Sequence, residues 1–171
     1  MKSTIFLLLI PCVMIFFPSC KKKTSETSNN GATVIFSSKF DTNTDLLKWS
    51  QSSGGNAVID QNTAKLTATD GCFHVETIDL IPVLTGKTYI LTFKGKVIQH
   101  QVGDPVLCAG DFLIYVMQGN TNLISQSFGN YPDWTQKSFS FQATSSAAIG
   151  IKFLVGTTRG AWIDDLTLTQ Q

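Results

Sequence analysis

Glutamate, histidine and arginine are scarce in this 171-residue chain: Glu26 and Glu76 are its only glutamates, His74 and His100 its only histidines, and Arg159 its only arginine. That scarcity removes most catalytic schemes. There is no HExxH pair, no paired-histidine metal spacing and no serine in a nucleophile elbow. His74 and Glu76 stand two apart, which places them on one face of a strand, where a lone pair of this kind reads as a surface contact. Glycosidases that carry Glu-x-Asp-x-x-Glu on one strand, so that acid and nucleophile flank the bond, cannot be built from two distant glutamates. Charged residues make up 15% of the chain and the net charge is +1, so the basic excess that nucleic-acid binding requires is missing. The longest apolar run, Ile5 to Phe17, is 13 residues and contains Pro11, too short to span a bilayer. What is abundant is apolar material: 43% hydrophobic residues, with 12 phenylalanines, which excludes wholesale disorder.

The N-terminus reads as an address. Lys2 precedes the apolar run, which has the length of a secretory h-region, and Phe17-Pro18-Ser19-Cys20 then leads into a polar stretch opened by Lys21-Lys22-Lys23. The pattern resembles a bacterial lipoprotein signal, which implies cleavage of residues 1–19 and a covalent lipid, palmitate-like, on Cys20. Acyl chains on both thiol and amine give the multiple anchors that stable membrane attachment needs. Residues 20–32 form a flexible polar tether, whose lysines are either a solvated linker start or a contact to anionic headgroups. Residues 33–171 form the folded domain, with 9 basic and 11 acidic side chains.

Within that domain the period is 2. Thr88 to Ile98 alternates Tyr89, Leu91, Phe93 and Val97 with Thr92, Lys94 and Lys96, and Ala147 to Val155 repeats the pattern. Shorter runs of strand character are Thr33 to Phe36, Ala57 to Asp60, Ala64 to Thr69, Phe73 to Ile78, Phe112 to Gln118, Leu123 to Phe128, Thr135 to Gln142 and Trp162 to Thr169. Turn chemistry such as Ser53-Gly54-Gly55-Asn56, Asp70-Gly71 and Gly119-Asn120 separates them at sandwich intervals. The expectation is an all-β, two-sheet antiparallel β-sandwich of jelly-roll type with about ten strands; Asp45 to Trp49 is at most one helical turn. In Phe112 to Gln118 both phases are apolar, so this strand is either covered on both faces or lines a binding cleft.

Four segments in order carry a further resemblance: Lys39-Phe40-Asp41 with Trp49 close behind, Gly86-Lys87-Thr88-Tyr89 opening a long strand, Trp134 heading Ser138 to Phe141, and Trp162-Ile163-Asp164-Asp165-Leu166. Together they look like the jelly-roll carbohydrate-binding modules with a galactose-binding-like fold. The resemblance implies a structural calcium held by Asp41 with Asp164 or Asp165, and it implies that Trp134 and Tyr89 pack in the core. Strict alternation would put Trp162, Asp164, Leu166 and Leu168 on one face, so a carboxylate joins the core unless a bulge intervenes at Asp164-Asp165. Without a metal, these aspartates would bond turn backbone or pair with Lys39 or Arg159.

Sugar binding in such modules uses aromatic rings under pyranose faces, with amides, carboxylates and arginine reading hydroxyls. Trp49, Tyr115, Gln126, Tyr131 and Arg159 are the candidate ligand residues. Cys72 and Cys108 remain as an even pair once Cys12 leaves with the leader and Cys20 takes lipid, and they are either bridged or two separate buried thiols. The expected function is a non-catalytic carbohydrate-binding lipoprotein of the bacterial cell envelope, in the outer membrane, capturing polysaccharide or oligosaccharide, in the layout of Bacteroidetes polysaccharide-uptake lipoproteins. The alternative is a structural or adhesive lipoprotein that binds envelope proteins through an apolar patch or open edge strand.

Overall fold

The computed structural model describes residues 31–105, 108 and 111–171. The leader, Cys20 and the tether as far as residue 30 lie outside the described residues. Eleven strands follow in order: β1 (Thr33–Ser38), β2 (Trp49–Gln51), β3 (Gly55–Ile59), β4 (Ala64–Ala68), β5 (Phe73–Thr77), β6 (Thr88–Val97), β7 (Phe112–Gln118), β8 (Thr121–Ser127), β9 (Thr135–Gln142), β10 (Ile149–Val155) and β11 (Ala161–Gln170). Among the described residues one helical turn, α1 (Asn43–Leu46), sits between β1 and β2. The strand missing from the sequence reading is β2, because three residues are too few to display a period.

Two antiparallel sheets result. One runs β3-β4-β11-β6-β9 with β1 also on β11, and the other runs β2-β5-β10-β7-β8. Alternation explains which side chains meet between them: Tyr89, Leu91, Phe93 and Val97 of β6 face Ile149, Ile151, Phe153 and Val155 of β10, all fully buried. Phe93 and Phe153 meet edge to face at 5.3 Å, and Phe112 stacks on Phe153 at 5.7 Å, so phenylalanines from both sheets share one cluster. Each such ring removed from water contributes about 1.5–3 kcal/mol, which is why the scarcity of charge costs the domain nothing in cohesion. Tyr89 keeps its phenol satisfied inside that core by accepting the Leu84 N–H at 2.7 Å and donating to Gln170.

Strand β11 changes neighbours halfway. Ala161 to Ile163 pair with β4, whereas Leu166 to Gln170 pair with β1, and β6 flanks both halves. The switch falls at a register shift between Asp164 and Thr167, with Asp165 at φ 48°. The extra residue resets the phase, so Trp162 and Asp164 face outward while Leu166 and Leu168 face the core. Cys72, just before β5, and Cys108, just before β7, are joined in a disulfide with Cα atoms 5.3 Å apart.

Candidate functional site

The outer face of the five-stranded sheet carries a transverse row that crosses every strand in register. Ser50 of β2 lies opposite Glu76 of β5, Glu76 opposite Lys152 of β10, Lys152 opposite Tyr115 of β7, and Tyr115 opposite Ser125 of β8. Beside it runs a second row of His74, Leu154, Leu113 and Ser127. Their inward-pointing neighbours Val75, Phe153, Ile114 and Val116 are buried, so the period of 2 places these residues on the open side. No element among the described residues covers this face, and Leu113, Tyr115, Met117, Lys152 and Leu154 are all half-buried rather than enclosed. The doubly apolar phase of β7 is therefore the signature of a cleft wall.

Two contiguous depressions follow from this packing. One, of about 330 Å³, lies between Glu76, Ile78, Leu80, Met117, Gly150 and Lys152. The other, of about 230 Å³, is bounded by Tyr115, Met117, Asn122, Lys152 and Leu154. Gly150 opens the first, because an absent side chain on β10 leaves room beside Met117. The Lys152 ammonium stands 4.0 Å from the Glu76 carboxylate, giving a donor and an acceptor beside the Tyr115 ring. His74 is held below the usual histidine range, chiefly by burial and then by the nearby Lys152 charge, so it stands neutral at pH 7. At one end of the sheet the buried amide of Gln118 fixes the turn between β9 and β10: it donates to the Ser145 and Ala147 carbonyls at 2.8 and 2.6 Å and accepts from Thr144. A ring, flanking polar pairs and a rigid sheet make a surface able to hold a polyhydroxylated chain.

Of the five candidate ligand residues, Tyr115 alone lines this cleft. Trp49 belongs to the core, 3% exposed, with its indole N–H on Ser38 Oγ at 3.2 Å and its ring against Phe36, Phe40 and Phe153. Gln126 is exposed but stands opposite the buried Ile114, on the other phase of β8 from Ser125. Tyr131 packs edge-on to Phe128, with the Lys137 ammonium 3.9 Å from its ring centre. Arg159 donates to both carboxylate oxygens of Asp104, and this pairing lowers the Asp104 carboxyl and leaves the guanidinium engaged. The residues that sequence reasoning missed are Met117, Lys152 and Leu154. Their signal was present as the outward phases of β7 and β10, but a half-wet strand face looks the same whether or not it binds.

The calcium expectation rests on Asp41 with Asp164 or Asp165. The bulge turns Asp165 onto Lys94, 2.7 Å away, and Asp164 accepts the Asp165 backbone N–H at 2.8 Å. Among the described residues no three acidic, histidine or cysteine side chains converge on a point a metal could occupy. Asp41 bears on Asp164 only as a nearby like charge. Trp134 departs from expectation: it is 43% exposed on the outer face of the other sheet, while Tyr89 is wholly buried.

No family model matches the sequence, and no curated protein matches it. Solved structures do match the fold. A CBM4 carbohydrate-binding module superposes with TM-score 0.57 at 21% identity, covering 72% of this chain and 86% of its own. The CBM1 of BiXyn10A gives 0.56 at 14%, covering 80% and 97%. The CBM22-1–GH10 modules of Clostridium thermocellum endo-1,4-β-D-xylanase 10B, complexed with xylohexaose, give 0.58 at 14%, covering 81% of this chain and 28% of that longer one. These neighbours are carbohydrate-binding modules, and what the chain shares with them is the two-sheet antiparallel β-sandwich.

Proposed function

We propose that this protein is a non-catalytic carbohydrate-binding lipoprotein that lays a glycan chain across the outer face of its five-stranded sheet. The observation that carries the reading is the in-register row Glu76–Lys152–Tyr115, a ring with a donor and then an acceptor on the successive strands to one side of it, on an uncovered sheet. The carbohydrate-binding modules among the structural neighbours support the ligand class. A lipid on Cys20 would hold the domain at the bacterial cell envelope, on the outer membrane, where tethering raises the local concentration of captured polymer. The support for that location is the leader and its Phe17-Pro18-Ser19-Cys20 junction.

A glycan array probed with the full-length protein and with Tyr115→Ala tests the reading. Wild type is expected to bind at least one polysaccharide, and loss of the ring is expected to weaken that binding about tenfold or more, equivalent to at least about 1.4 kcal/mol, with an unchanged thermal melt. A second reading, an adhesive envelope protein, stands on the exposed Ile78 and Leu80 at the wall of the cleft and the exposed Leu84. An array with no glycan bound would favour it.

A further inference from the structure

We propose that the outer face of the six-stranded sheet holds a second saccharide contact, in which Trp134 is the platform for a neutral pyranose and Asp164, Lys94, Gln136 and Thr63 meet its hydroxyls. The proposal takes its ligand class from the function proposed above but rests on a different sheet and different residues. Trp134 is 43% exposed, whereas Trp49 and Trp162 are 3% and 8% exposed. Trp134 thus offers an open ring face at the edge of a polar-rimmed depression, the setting in which an aromatic surface takes part in binding. Trp134 leads directly into β9, and beside it the sheet register aligns Asp164 of β11, Lys94 of β6 and Gln136 of β9 in one transverse row. An acceptor, a donor and a group that is both thus stand at successive strand spacings of about 4.8 Å, comparable to the width of a sugar ring. These residues and Thr63 bound a depression of about 440 Å³.

The platform is rigidly backed. Lys96 places its ammonium 4.5 Å from the Trp162 ring and 5.3 Å from the Trp134 ring, and Lys65 covers Trp162 at 5.1 Å. The indole N–H of Trp162 is held by Asp60 at 3.2 Å. Such a layered arrangement fixes the ring and leaves part of it facing solvent, where the apolar C–H face of a pyranose stacks on an electron-rich surface. Charge decides the kind of sugar. Lys65, Lys94 and Lys96 on this face are matched by Asp60, Asp164 and Asp165, and Lys94 is already paired to Asp165. A uronate or sulfate ester would face two neighbouring carboxylates with no surplus cation to offset them, and an anionic lipid surface would find no net attraction.

Because the other two tryptophans are buried, acrylamide quenching of tryptophan emission reads Trp134 selectively in the full-length protein. The probes are xylohexaose, cellohexaose, laminarihexaose and mannohexaose, titrated against wild type, Tyr115→Ala, Trp134→Phe and the exposed Gln136→Ala, each checked by thermal melt. The expected result is that at least one probe shields Trp134 from acrylamide and blue-shifts emission in wild type and in Tyr115→Ala, that Trp134→Phe, followed by calorimetry because it lacks the reporter ring, binds that probe more weakly, and that Gln136→Ala weakens the response about tenfold. Binding abolished by Tyr115→Ala while Trp134 stays fully quenchable overturns the second contact and leaves the first intact. No shielding of Trp134 by any probe, in wild type or in Tyr115→Ala, overturns the second contact, and the glycan array decides the first. Shielding by phosphatidylglycerol vesicles without any sugar response overturns the proposal in favour of a membrane contact.

Discussion

Asp164 sits where five influences oppose one another. Burial raises its carboxyl above the ordinary value of 3.8, the Asp165 N–H acts to lower it, and the Asp165 and Asp41 carboxylates push it up again against the pull of Lys94. For an acid whose folded value is raised, the folded state holds the proton more tightly than the unfolded state. The ionised group therefore destabilises the fold fully above the raised value, and the penalty vanishes below about 3.8. Asp164→Asn keeps an acceptor for the Asp165 N–H and removes the charge. It is expected to melt above wild type at pH 7, with the difference shrinking to nothing as the pH falls below about 4. A calcium ion at Asp41 and Asp164 would give the opposite sign, since the asparagine variant would lose the ion's stabilisation, and melts with and without chelator separate the two. Asp104 runs the other way: Arg159 lowers its carboxyl, so that pair contributes stability above the ordinary carboxylate range and loses it as the pH falls through the depressed value.

At the level of the strand, two glycines in equivalent settings have opposite consequences. On β10 a Cβ at Gly150 would meet Leu80 Cδ2 at 3.5 Å and Thr77 Oγ1 at 3.7 Å, ordinary contacts on the open side of the cleft. Gly150→Leu is expected to fold at least as well as wild type, since glycine is a poor strand residue on a scale of about 1 kcal/mol, and to lower glycan affinity more than tenfold by filling the depression beside Met117. On β6 a Cβ at Gly95 would lie 2.9 Å from Phe128 Cζ in the core, so Gly95→Ala is expected to cost about 1–3 kcal/mol by chemical denaturation without touching either saccharide face. The same distinction governs what the sequence could reveal. Alternation in β6 and β10 made the sheets legible, and the conflict between Asp164 and its core-phase neighbours pointed to Asp164-Asp165 as the place where a bulge would resolve it, which is where the register shifts. Trp49 is buried and Trp134 exposed, the reverse of the sequence expectation, because exposure depends on where each sits relative to its strand and on whether Phe153 or Lys96 lies against the ring. Periodicity carries a residue's face but not what stands across from it.

Across the whole molecule, the binding face depends on strands brought together from distant parts of the chain. His74 and Glu76 come from β5, Tyr115 and Met117 from β7, and the two strands are held apart by β10, whose Val155 pairs with Phe73 on one side and Phe112 on the other. The Cys72–Cys108 disulfide spans that end of the sheet, closing a loop of sequence separation 36 that contains all of β6. In the chain-entropy model a loop of this length restricts the unfolded state by about 3–4 kcal/mol, acting on the ensemble that must find the β5–β10–β7 register. The sequence could place both cysteines beside strands but not the strands beside each other, so their pairing stayed open until the topology was known. Replacing both cysteines with alanine is expected to lower the melting temperature by roughly 10 °C for a domain of this size. Tyr115-dependent glycan binding is expected to survive below the new transition, because the inward Phe73–Val155–Phe112 row keeps the strands in register without the covalent link. Calorimetry of the double variant with and without the bound oligosaccharide measures both. A melting temperature unchanged from wild type would mean that the bridge does not restrict the unfolded chain, and loss of binding in the still-folded variant would mean that the disulfide, rather than the buried row, sets the spacing of the cleft.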